Sequence, residues 1–457
     1  MGEVNLWLLD RLEAVQPTSL NLILEVEPLA APEIQTMALS YQATVKPQLI
    51  LGRFLSVRAP TANLSFLADL PGVRTVSYNA PVGIPRFPSL NPFTHVDSLL
   101  GAMPLSSIEI PRGPRLPRVP LGVSTLPGIS LAVQVASEGK TIIPTSESRN
   151  VLEPPGDSSL GLTVAVIDTG MTPGAPGLPP RIKTRLMSFT GEPPLDGLGH
   201  GMWVSTAAFG AAQNTPWGRI QGVATVDRGL LLHAKSLSNA GFGSTEGILL
   251  AMEWCLKEGA QVISMSLGSE QQGSVNDDPL CRAIELHPEA LWVVAAGNSG
   301  PDDWTIGSPG AAPSAITVGA YSMTDRQVSW FSSRGPGGGF YLQHPDIWSQ
   351  DLAQYGELLI KPDLLAPGGG RALAESQPDE QLLSAVTGWT DLEDGIPNLV
   401  GAMKGTSMAT PAAAGLLALA LERGIISTQQ DVKAKLRGVS KDKSSGWGLL
   451  TWSRLGR

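Results

Sequence analysis

Residues 162–170 read LTVAVIDTG, a run of small and β-branched apolar side chains that ends in an aspartate and a glycine turn. Four more short apolar runs follow at 230–234, 262–265, 291–295 and 315–318, with longer, helix-like stretches between them. Runs of this kind are typical of parallel strands that helices cover on both faces. The sequence therefore predicts an α/β fold in three layers, α/β/α, around a mostly parallel sheet. Functional side chains are expected at the carboxyl ends of its strands.

The composition of the 457 residues indicates a globular protein. Hydrophobic residues make up 42% and charged residues 16%, which is enough apolar content to bury a substantial core. The formal charge of −9 argues against the basic surface that nucleic-acid binding requires. No segment approaches the ~20 continuous apolar residues of a membrane helix, so no membrane span is expected. Two cysteines are too few for a disulfide framework.

Residues 1–80 are predicted to form a small α+β domain. Strand, helix, strand, strand, helix and strand are predicted in turn over 19–27, 31–43, 45–52, 54–59, 61–70 and 73–78. The order βαββαβ is that of ferredoxin-like domains.

A proline-rich stretch follows this domain. Nine prolines lie from Pro81 to Pro120, and we interpret residues 81–150 as a semi-rigid linker. A strand-like pattern over 122–136 indicates that this part of the linker is able to pack on a neighbouring domain. Residues 151–457 then form the large α/β domain.

Asp168 and His200 are the first two candidate site residues. A carboxylate directly after an apolar strand is partly desolvated and needs a cation, a hydrogen-bond donor or a metal. His200 stands between two glycines at the start of a small-residue helix, which places its imidazole at a rim. Taken singly, Asp168 is more simply a strand-end turn or cap residue. His233, within another strand-like run, is interpreted as a satisfied core or surface residue.

Ser407 and Asn298 are the other two candidates. Ser407 follows Gly405 at the start of a strongly helical stretch, where unpaired backbone N–H groups favour a developing negative charge. Asn298 follows a buried strand, and its amide is able to donate a hydrogen bond into a site. The simpler alternatives are a helix-capping serine and a turn asparagine.

Together these motifs, VIDTG, GHG, AAGNSG and GTSMATP, resemble those of the subtilisin-like serine proteases, the subtilases. The resemblance covers about residues 160–452 and extends to the segments SMSLG, FSSRGP, KPDLLAPG and GWGLL. It implies a subtilisin-like three-layer fold and a serine endopeptidase. It also implies that residues 1–80 are a propeptide that inhibits the enzyme within the same chain and is removed by self-cleavage.

The resemblance also assigns roles to the four residues. Ser407 would be the nucleophile, His200 the general base and Asp168 the residue that orients His200, with Asn298 and the Ser407 N–H holding the oxyanion. Protein or peptide substrates would bind as an extended strand. The substrate-binding residues it implies are Gly241, Phe242, Gly243, Ser266, Leu267, Gly268, Ala295, Ala296, Gly297 and Gly307. Because the matching pocket residues are small and uncharged, we expect apolar residues before the cleaved bond.

The chain departs from the family pattern at several positions. His-Gly-Thr-His is usual, but here Met202 and Trp203 follow His200-Gly201, and Lys404 precedes Gly405 where a small residue is usual. Residues 211–222 keep little of a familiar calcium loop. The chemistry is expected to need no cofactor, and although the resemblance leaves room for a structural calcium ion, no ligands are assigned. Residues 337–354 and 371–398 are interpreted as insertions that shape the cleft.

Three further expectations concern biological context. No signal peptide is recognised, so the sequence as written indicates an intracellular protein, with secretion as the alternative that the family suggests. One alternative function is a maturation protease that acts on its own chain or on a dedicated partner. The other is a binding protein that keeps the fold without catalysis.

Overall fold

A computed structural model describes residues 3–4, 8, 18–84, 140–271, 273–388, 399–437 and 440–456. The strand predicted over 122–136, most of the predicted linker, and part of the insertion over 371–398 lie outside these residues. Within the described part of the chain, no helix is both long enough and apolar enough to cross a membrane.

The N-terminal unit is a five-stranded sheet with two helices on one face. Its strands are β1 (Glu3–Val4), β2 (Ser19–Val26), β3 (Thr44–Val45), β4 (Phe54–Pro60) and β5 (Val73–Tyr78), in the spatial order β1-β5-β2-β4-β3. The helices are α1 (Ala31–Leu39) and α2 (Leu64–Ala68), and both bury apolar side chains in one core with β2, β4 and β5. The predicted βαββαβ order is confirmed, with β1 as an additional edge strand.

Some predicted boundaries in this unit are wrong. The strand predicted over 45–52 stops at Val45, because Pro47 lacks an N–H for the ladder and the chain then turns through left-handed residues at Leu51 and Gly52. The first helix ends at Leu39 rather than at residue 43, and α2 begins only after a turn of 3-10 helix over Thr61–Asn63.

The predicted linker boundaries also need correction. Strand β6 (Pro81–Gly83) lies before the undescribed residues, and β7 (Lys140–Pro144) and helix α3 (Thr145–Val151) lie after them. Both strands pair with strands of the large domain. Both ends of the segment that we interpreted as a tether therefore have regular structure and pack on the large domain.

The large domain is built on an eight-stranded sheet. The strands after β7 are β8 (Ser159–Leu160), β9 (Thr163–Asp168), β10 (Lys183–Ser188), β11 (Gln213–Thr215), β12 (Gly218–Ile220), β13 (Thr225–Val226), β14 (Leu230–Lys235), β15 (Phe242–Ser244), β16 (Val262–Met265), β17 (Leu291–Ala295), β18 (Ile316–Ser322), β19 (Gln327–Val328), β20 (Leu364–Pro367), β21 (Asp379–Ala385) and β22 (Val400–Met403). The order β10-β14-β9-β16-β17-β18 is parallel throughout, β20 adds to β18 in parallel, and β19 is antiparallel.

Helices cover both faces of this sheet. They are α4 (His200–Phe209), α5 (Thr245–Lys257), α6 (Pro279–Leu286), α7 (Gly339–Gln343), α8 (Pro345–Tyr355), α9 (Thr406–Glu422), α10 (Gln429–Leu436) and α11 (Trp452–Leu455). Side chains of a strand alternate between faces, so Val164 and Val166 pack in the core that contains α4 and α9. Ala165 and Ile167 pack in the core that contains α5 and α6. This arrangement confirms the predicted α/β/α layers.

The sheet order places a topological switch point between β9 and β16. The chain leaves β9 toward β14 and β10 on one side and later builds β16, β17 and β18 on the other. In open α/β sheets the crevice at such a point, at the carboxyl ends of the strands, is where ligands bind. Asp168 ends β9, and Ser266 directly follows β16.

Candidate active site

Asp168 and His200 are in direct contact at this crevice. His200 Nδ1 lies 2.7 Å from Asp168 Oδ1, and the Thr169 N–H donates to the same oxygen at 2.7 Å. Asp168 is completely buried and His200 is 5% exposed. Asp168 Oδ1 thus meets two donors, with His200 Nδ1–H as one of them, whereas Asp168 Oδ2 is buried and makes no hydrogen bond to any described residue.

Asp196 explains why the helix that carries His200 begins where it does. Gly199 adopts φ +108° at the N-cap, and the buried Asp196 carboxylate accepts the N–H groups of Gly199 at 2.8 Å and Met202 at 2.7 Å. Burial raises the pKa of Asp196, although these backbone hydrogen bonds oppose the rise. Asp196 was not among the residues predicted from the sequence. An aspartate four positions before His200, in a glycine-rich turn, was the available signal.

Ser407 is held at the start of α9 by Ser266. Pro411 has no N–H, so the Ser407 carbonyl four residues earlier has no helical donor. The Ser266 hydroxyl donates to this carbonyl at 2.9 Å, and in return the Ser407 hydroxyl donates to the Ser266 carbonyl at 3.2 Å. Pro411 of GTSMATP thus leaves the Ser407 carbonyl without a helical donor, and Ser266 of SMSLG supplies the missing hydrogen bond.

Asn298 is oriented by the same helix terminus. Its Oδ1 accepts hydrogen bonds from the Thr406 N–H and from the Thr406 hydroxyl, both at 2.9 Å. Because Oδ1 accepts both of these hydrogen bonds, the orientation of the amide is fixed, with NH₂ as its donor end. One cavity is lined by Asn298, Ser407 and His200 together with Ile84, Gln381, Ala402, Met403, Lys404 and Met408.

The hydroxyl of Ser407 is not bonded to His200 in this structure. His200 Nε2 is buried and makes no hydrogen bond to any described residue, while the Ser407 hydroxyl donates to Ser266. A rotation of the Ser407 side chain is needed to direct its proton to His200. Contacts between a base and a nucleophile are often formed only when substrate is bound.

The predicted substrate-binding segments already hold a strand of this chain. Strand β6 pairs antiparallel with β15, which places Gly83 opposite Phe242 and Val82 opposite Gly243. On its other edge, Gly83 exchanges two backbone hydrogen bonds with Gly268, at 3.1 and 2.9 Å. Ile84 N–H donates to the Gly241 carbonyl at 3.2 Å, and Ile84 lines the cavity that contains Ser407. Gly241 to Gly243 and Gly268 thus form the two edges of the groove that holds β6.

The residues predicted to form the primary pocket lie together. Gly307 N–H donates to the Ala296 carbonyl at 3.2 Å, and Ser308 exchanges two hydrogen bonds of 2.9 Å with Ser269, which follows Ser266-Leu267-Gly268. Ala295, Ala296 and Gly297 close the other side, where the Gly297 N–H donates to Thr406 Oγ1 at 3.3 Å. Behind this floor stands one carboxylate that the sequence analysis missed, Asp278. It accepts the Ser308 hydroxyl at 2.7 Å and caps α6.

The first insertion braces this pocket. The Gly338 N–H donates to Gln271 Oε1 at 3.2 Å, and the Ile306 N–H donates to the Gly337 carbonyl at 3.3 Å. The Tyr341 hydroxyl accepts the Val275 N–H at 2.9 Å. These contacts are in line with the expectation that residues 337–354 shape the cleft.

The departures from the family pattern have structural counterparts. Trp203 is fully buried, and its indole N–H donates to the Gly401 carbonyl at 3.0 Å, which ties α4 to the strand that precedes Ser407. Lys404 Nζ is paired with Asp379 at 2.7 Å. Residues 213–220 form the hairpin β11–β12. The described residues contain no group of three or more His, Cys, Asp or Glu side chains placed to hold a metal ion.

Comparisons with known proteins show which family the chain is similar to. Serine protease AprX of Bacillus subtilis (strain 168) is 34% identical over 301 residues, which is 61% of this chain and 60% of AprX. Subtilisin J of Geobacillus stearothermophilus is 28% identical over 288 residues, 62% of each chain. The alignments thus span about three fifths of these relatives.

A solved structure shows the same fold. Fervidolysin from Fervidobacterium pennivorans, described as a keratinolytic enzyme related to subtilisin, superposes with a TM-score of 0.61 at 18% identity, over 96% of this chain and 61% of fervidolysin. The family model of the subtilases matches residues 159–448, well over half of the chain. The chain therefore belongs to the subtilase family, peptidase family S8.

Proposed function

We propose that this protein is a serine endopeptidase in which Ser407 is the nucleophile, His200 the general base and Asp168 the residue that orients His200. The observation that carries the proposal is the convergence of Asp168, His200, Asn298 and Ser407 on one crevice that already holds an extended peptide strand. Membership of a family that includes AprX and the subtilisins supports the same activity.

The proposed reaction uses only side chains and backbone groups of the chain. His200 Nε2 takes the proton of Ser407 as its oxygen attacks the peptide carbonyl carbon. Asp168 accepts the Nδ1 hydrogen bond, which fixes the tautomer and stabilises the imidazolium. The oxyanion accepts hydrogen bonds from the Asn298 amide and the Ser407 N–H. His200 then gives its proton to the leaving amine, and water releases the acyl-enzyme.

Substrate affinity would come largely from backbone pairing. Strand β6 shows how an extended peptide fits between Gly241–Gly243 and Gly268, with Val82 only 1% exposed. The pocket formed by residues 295–297 and 307 is lined by small uncharged residues, and Asp278 behind it is engaged by Ser308. We therefore propose an apolar preference for the residue before the cleaved bond.

The activity is tested with an internally quenched peptide library that presents different apolar and charged residues before the cleavage site. Cleavage of internal bonds after apolar residues is expected from the purified protein. The sample must be shown to be folded and free of its N-terminal unit. If it then cuts no peptide, the hypothesis of a non-catalytic binding protein is favoured.

The N-terminal unit is proposed to be an inhibitory propeptide. Its sheet packs Ile23 and Phe54 into the core that contains α5. The Asn79 side chain accepts the Glu246 N–H at 2.9 Å, and the Ala80 carbonyl accepts the Thr245 N–H at 2.9 Å, so this unit satisfies the first turn of α5. Glu253, two turns along, accepts the Leu51 N–H at 3.0 Å. Self-cleavage is then expected beyond Ile84, between the inhibitor and β7.

An Asn298→Ala variant is expected to lower kcat by about 10²–10³, a range recorded for subtilisin itself, with KM little changed. The reason is that the amide would stabilise charge that exists only in the transition state. A Thr406→Ser variant, which keeps a hydroxyl for Asn298 Oδ1, is the matched control. Steady-state kinetics at neutral pH measures both, and an unchanged kcat in Asn298→Ala would remove this residue from the oxyanion site.

A Val82→Asp variant is expected to weaken inhibition by the N-terminal unit. Val82 is buried beside Gly243 in the apolar core that contains α5, so a carboxylate there would be desolvated among apolar side chains. The rate of peptide hydrolysis soon after refolding, before the N-terminal unit is removed, should rise several-fold. It is measured from the time course of activity after refolding. Ser19→Asp adds the same charge at an exposed position of the same unit and should follow the native time course. Identical time courses for both variants would argue against inhibition through β6.

A further inference from the structure

One buried histidine outside the four site residues touches both elements that carry the Asp168–His200 pair. His233 lies on β14, which pairs with β9, and its side chain is completely buried. The Gly170 N–H, two residues after Asp168, donates to His233 Nε2 at 3.1 Å. His233 Nδ1 lies 3.0 Å from the hydroxyl of Ser205 on α4.

These contacts determine the protonation of the ring. A backbone N–H only donates, so Nε2 must be an acceptor and therefore carries no proton. The neutral imidazole then has its proton on Nδ1, from where it donates to Ser205. Protonation of Nε2 would put two hydrogens between the ring and Gly170 and would break the first contact.

The surroundings favour this neutral form. Burial lowers the pKa of His233 to about 4; the Asp168 carboxylate opposes this change, and Lys235 and His200 add to it. These three are the charged or titratable groups that face the ring from β9, β14 and α4. The first turn of α4 is also packed tightly, since a Cβ atom on Gly201 would lie 2.3 Å from the Gly170 carbonyl and 3.1 Å from His233 Cε1.

We propose that His233 is a positioning residue for the reaction, one that fixes the turn over 168–170 against α4 and so holds the Asp168–His200 hydrogen bond in register. The proposal rests on the catalytic roles given above. Gly170 adopts φ +115°, and a Cβ atom at this position would lie 2.6 Å from the Leu195 carbonyl oxygen and 2.8 Å from that of Pro194, so the turn has little freedom once its N–H is held. Without the imidazole, that N–H is buried without a partner and the turn is expected to relax.

Two variants and one control test the proposal in the full-length chain. His233→Leu removes both hydrogen bonds. His233→Gln keeps an acceptor for Gly170 and a donor for Ser205 but does not titrate. His287→Gln removes a partly exposed histidine that is paired with Glu289 on the surface. Each is made in the active protein for kinetics and together with Ser407→Ala for NMR, so that the NMR samples do not cleave themselves.

We expect kcat of His233→Leu to fall by about 100-fold, the loss that small misplacements remote from the reacting atoms can cause, with KM little changed. His233→Gln should recover most of this loss, and His287→Gln should match the native protein. The low-field proton resonance of His200 Nδ1 should weaken in the Leu variant and persist in the Gln variant. When the pH is lowered through about 4, His233 gains a proton. The His200 Nδ1 resonance should therefore change more in the native protein than in His233→Gln, whose side chain does not titrate.

Three results would overturn the proposal. The first is a His233→Leu variant with native kcat and a native His200 resonance. The second is a His233→Gln variant that restores neither the kcat nor the resonance. The third is a loss of kcat that is fully explained by a lower melting temperature of the variant. The NMR arm does not depend on hydrolysis. If the unmodified protein cleaves nothing, the endopeptidase function fails, but the effect of His233 on the Asp168–His200 bond is still measured.

Discussion

A Ser407→Ala variant is expected to remain a single uncut chain and to hydrolyse peptides about 10⁶-fold more slowly than the native protein, a loss of the size known for the nucleophile of subtilisin. The methyl group of alanine cannot attack a carbonyl, and the residual rate would come from binding and from the oxyanion donors alone. Intact-mass measurement after expression reports self-cleavage, and a chromogenic peptide reports turnover.

A matched control for this variant is Ser299→Ala. Ser299 follows Asn298 but its side chain is exposed, so its removal should leave processing and turnover unchanged. Undiminished hydrolysis in Ser407→Ala would contradict the assignment of the nucleophile. Full hydrolysis by an uncut native chain would instead contradict the inhibitory role of the N-terminal unit.

The second large effect is expected on stability, at Asp363. This carboxylate is 1% exposed and is surrounded by three lysines. Its oxygens lie 2.8 Å from Lys361 Nζ, 2.7 Å from Lys441 Nζ and 3.8 Å from Lys433 Nζ. The side chains of all three lysines are nearly or fully buried. The single carboxylate of Asp363 is therefore the shared counter-charge of three buried lysine side chains.

Removal of that charge should be costly. Burial alone would raise the pKa of the Asp363 carboxyl, but the three ammonium groups outweigh it and hold the pKa well below its usual range. Asp363→Asn is expected to lower the free energy of unfolding by about 3–5 kcal/mol, because it leaves buried cations without a counter-charge. Lys433→Met, from the same cluster, should leave stability unchanged or raise it.

The pH dependence of unfolding separates the two variants. Burial lowers the pKa of Lys433 below its usual 10.5, against the opposing effect of Asp363. Between the lowered pKa and 10.5 the unfolded chain binds more protons than the folded one, so stability should rise with pH in that interval. Lys433→Met should flatten this rise. The Asp363 contribution is present above the usual carboxyl pKa and is lost only as the pH falls through its lowered value. Urea unfolding in the Ser407→Ala background across pH 5–10 measures the pH dependence that Lys433 causes and the stability lost in Asp363→Asn. An Asp363→Asn variant of native stability would contradict the stabilising role of this carboxylate.

Local patterns in the sequence predicted five of the eight strands of the central sheet. The bounds Val262–Met265 and Leu291–Ala295 are those predicted, since short apolar runs between helices have few alternatives in a buried parallel sheet. Strand β10 was missed because its side chains alternate between exposed and half-buried at the sheet edge, which leaves no continuous apolar run. The strand predicted over 45–52 ends before Pro47, because the apolar pattern continues there but the proline has no N–H to donate to a neighbouring strand.

The site was predictable where each residue stands at the end of an element. Asp168 after a strand and Ser407 at a helix start were candidates on local grounds, and the four motifs taken together made them one predicted site. The partners that hold them could not, because Ser266, Thr406 and His233 depend on which elements the fold brings together. Strand β6 was missed for the same reason, since its partners lie more than 150 residues away in the sequence.

If Ser407 is the activated nucleophile of this crevice, a fluorophosphonate probe should react with its hydroxyl. The purified native protein is treated with this probe, digested and mapped by tandem mass spectrometry, beside Asp168→Asn and Ser299→Ala variants. We expect a single adduct on Ser407, much slower labelling in Asp168→Asn, and native labelling in Ser299→Ala. Labelling of a different serine, or equal labelling with and without the Asp168 carboxylate, would contradict this assignment of the nucleophile.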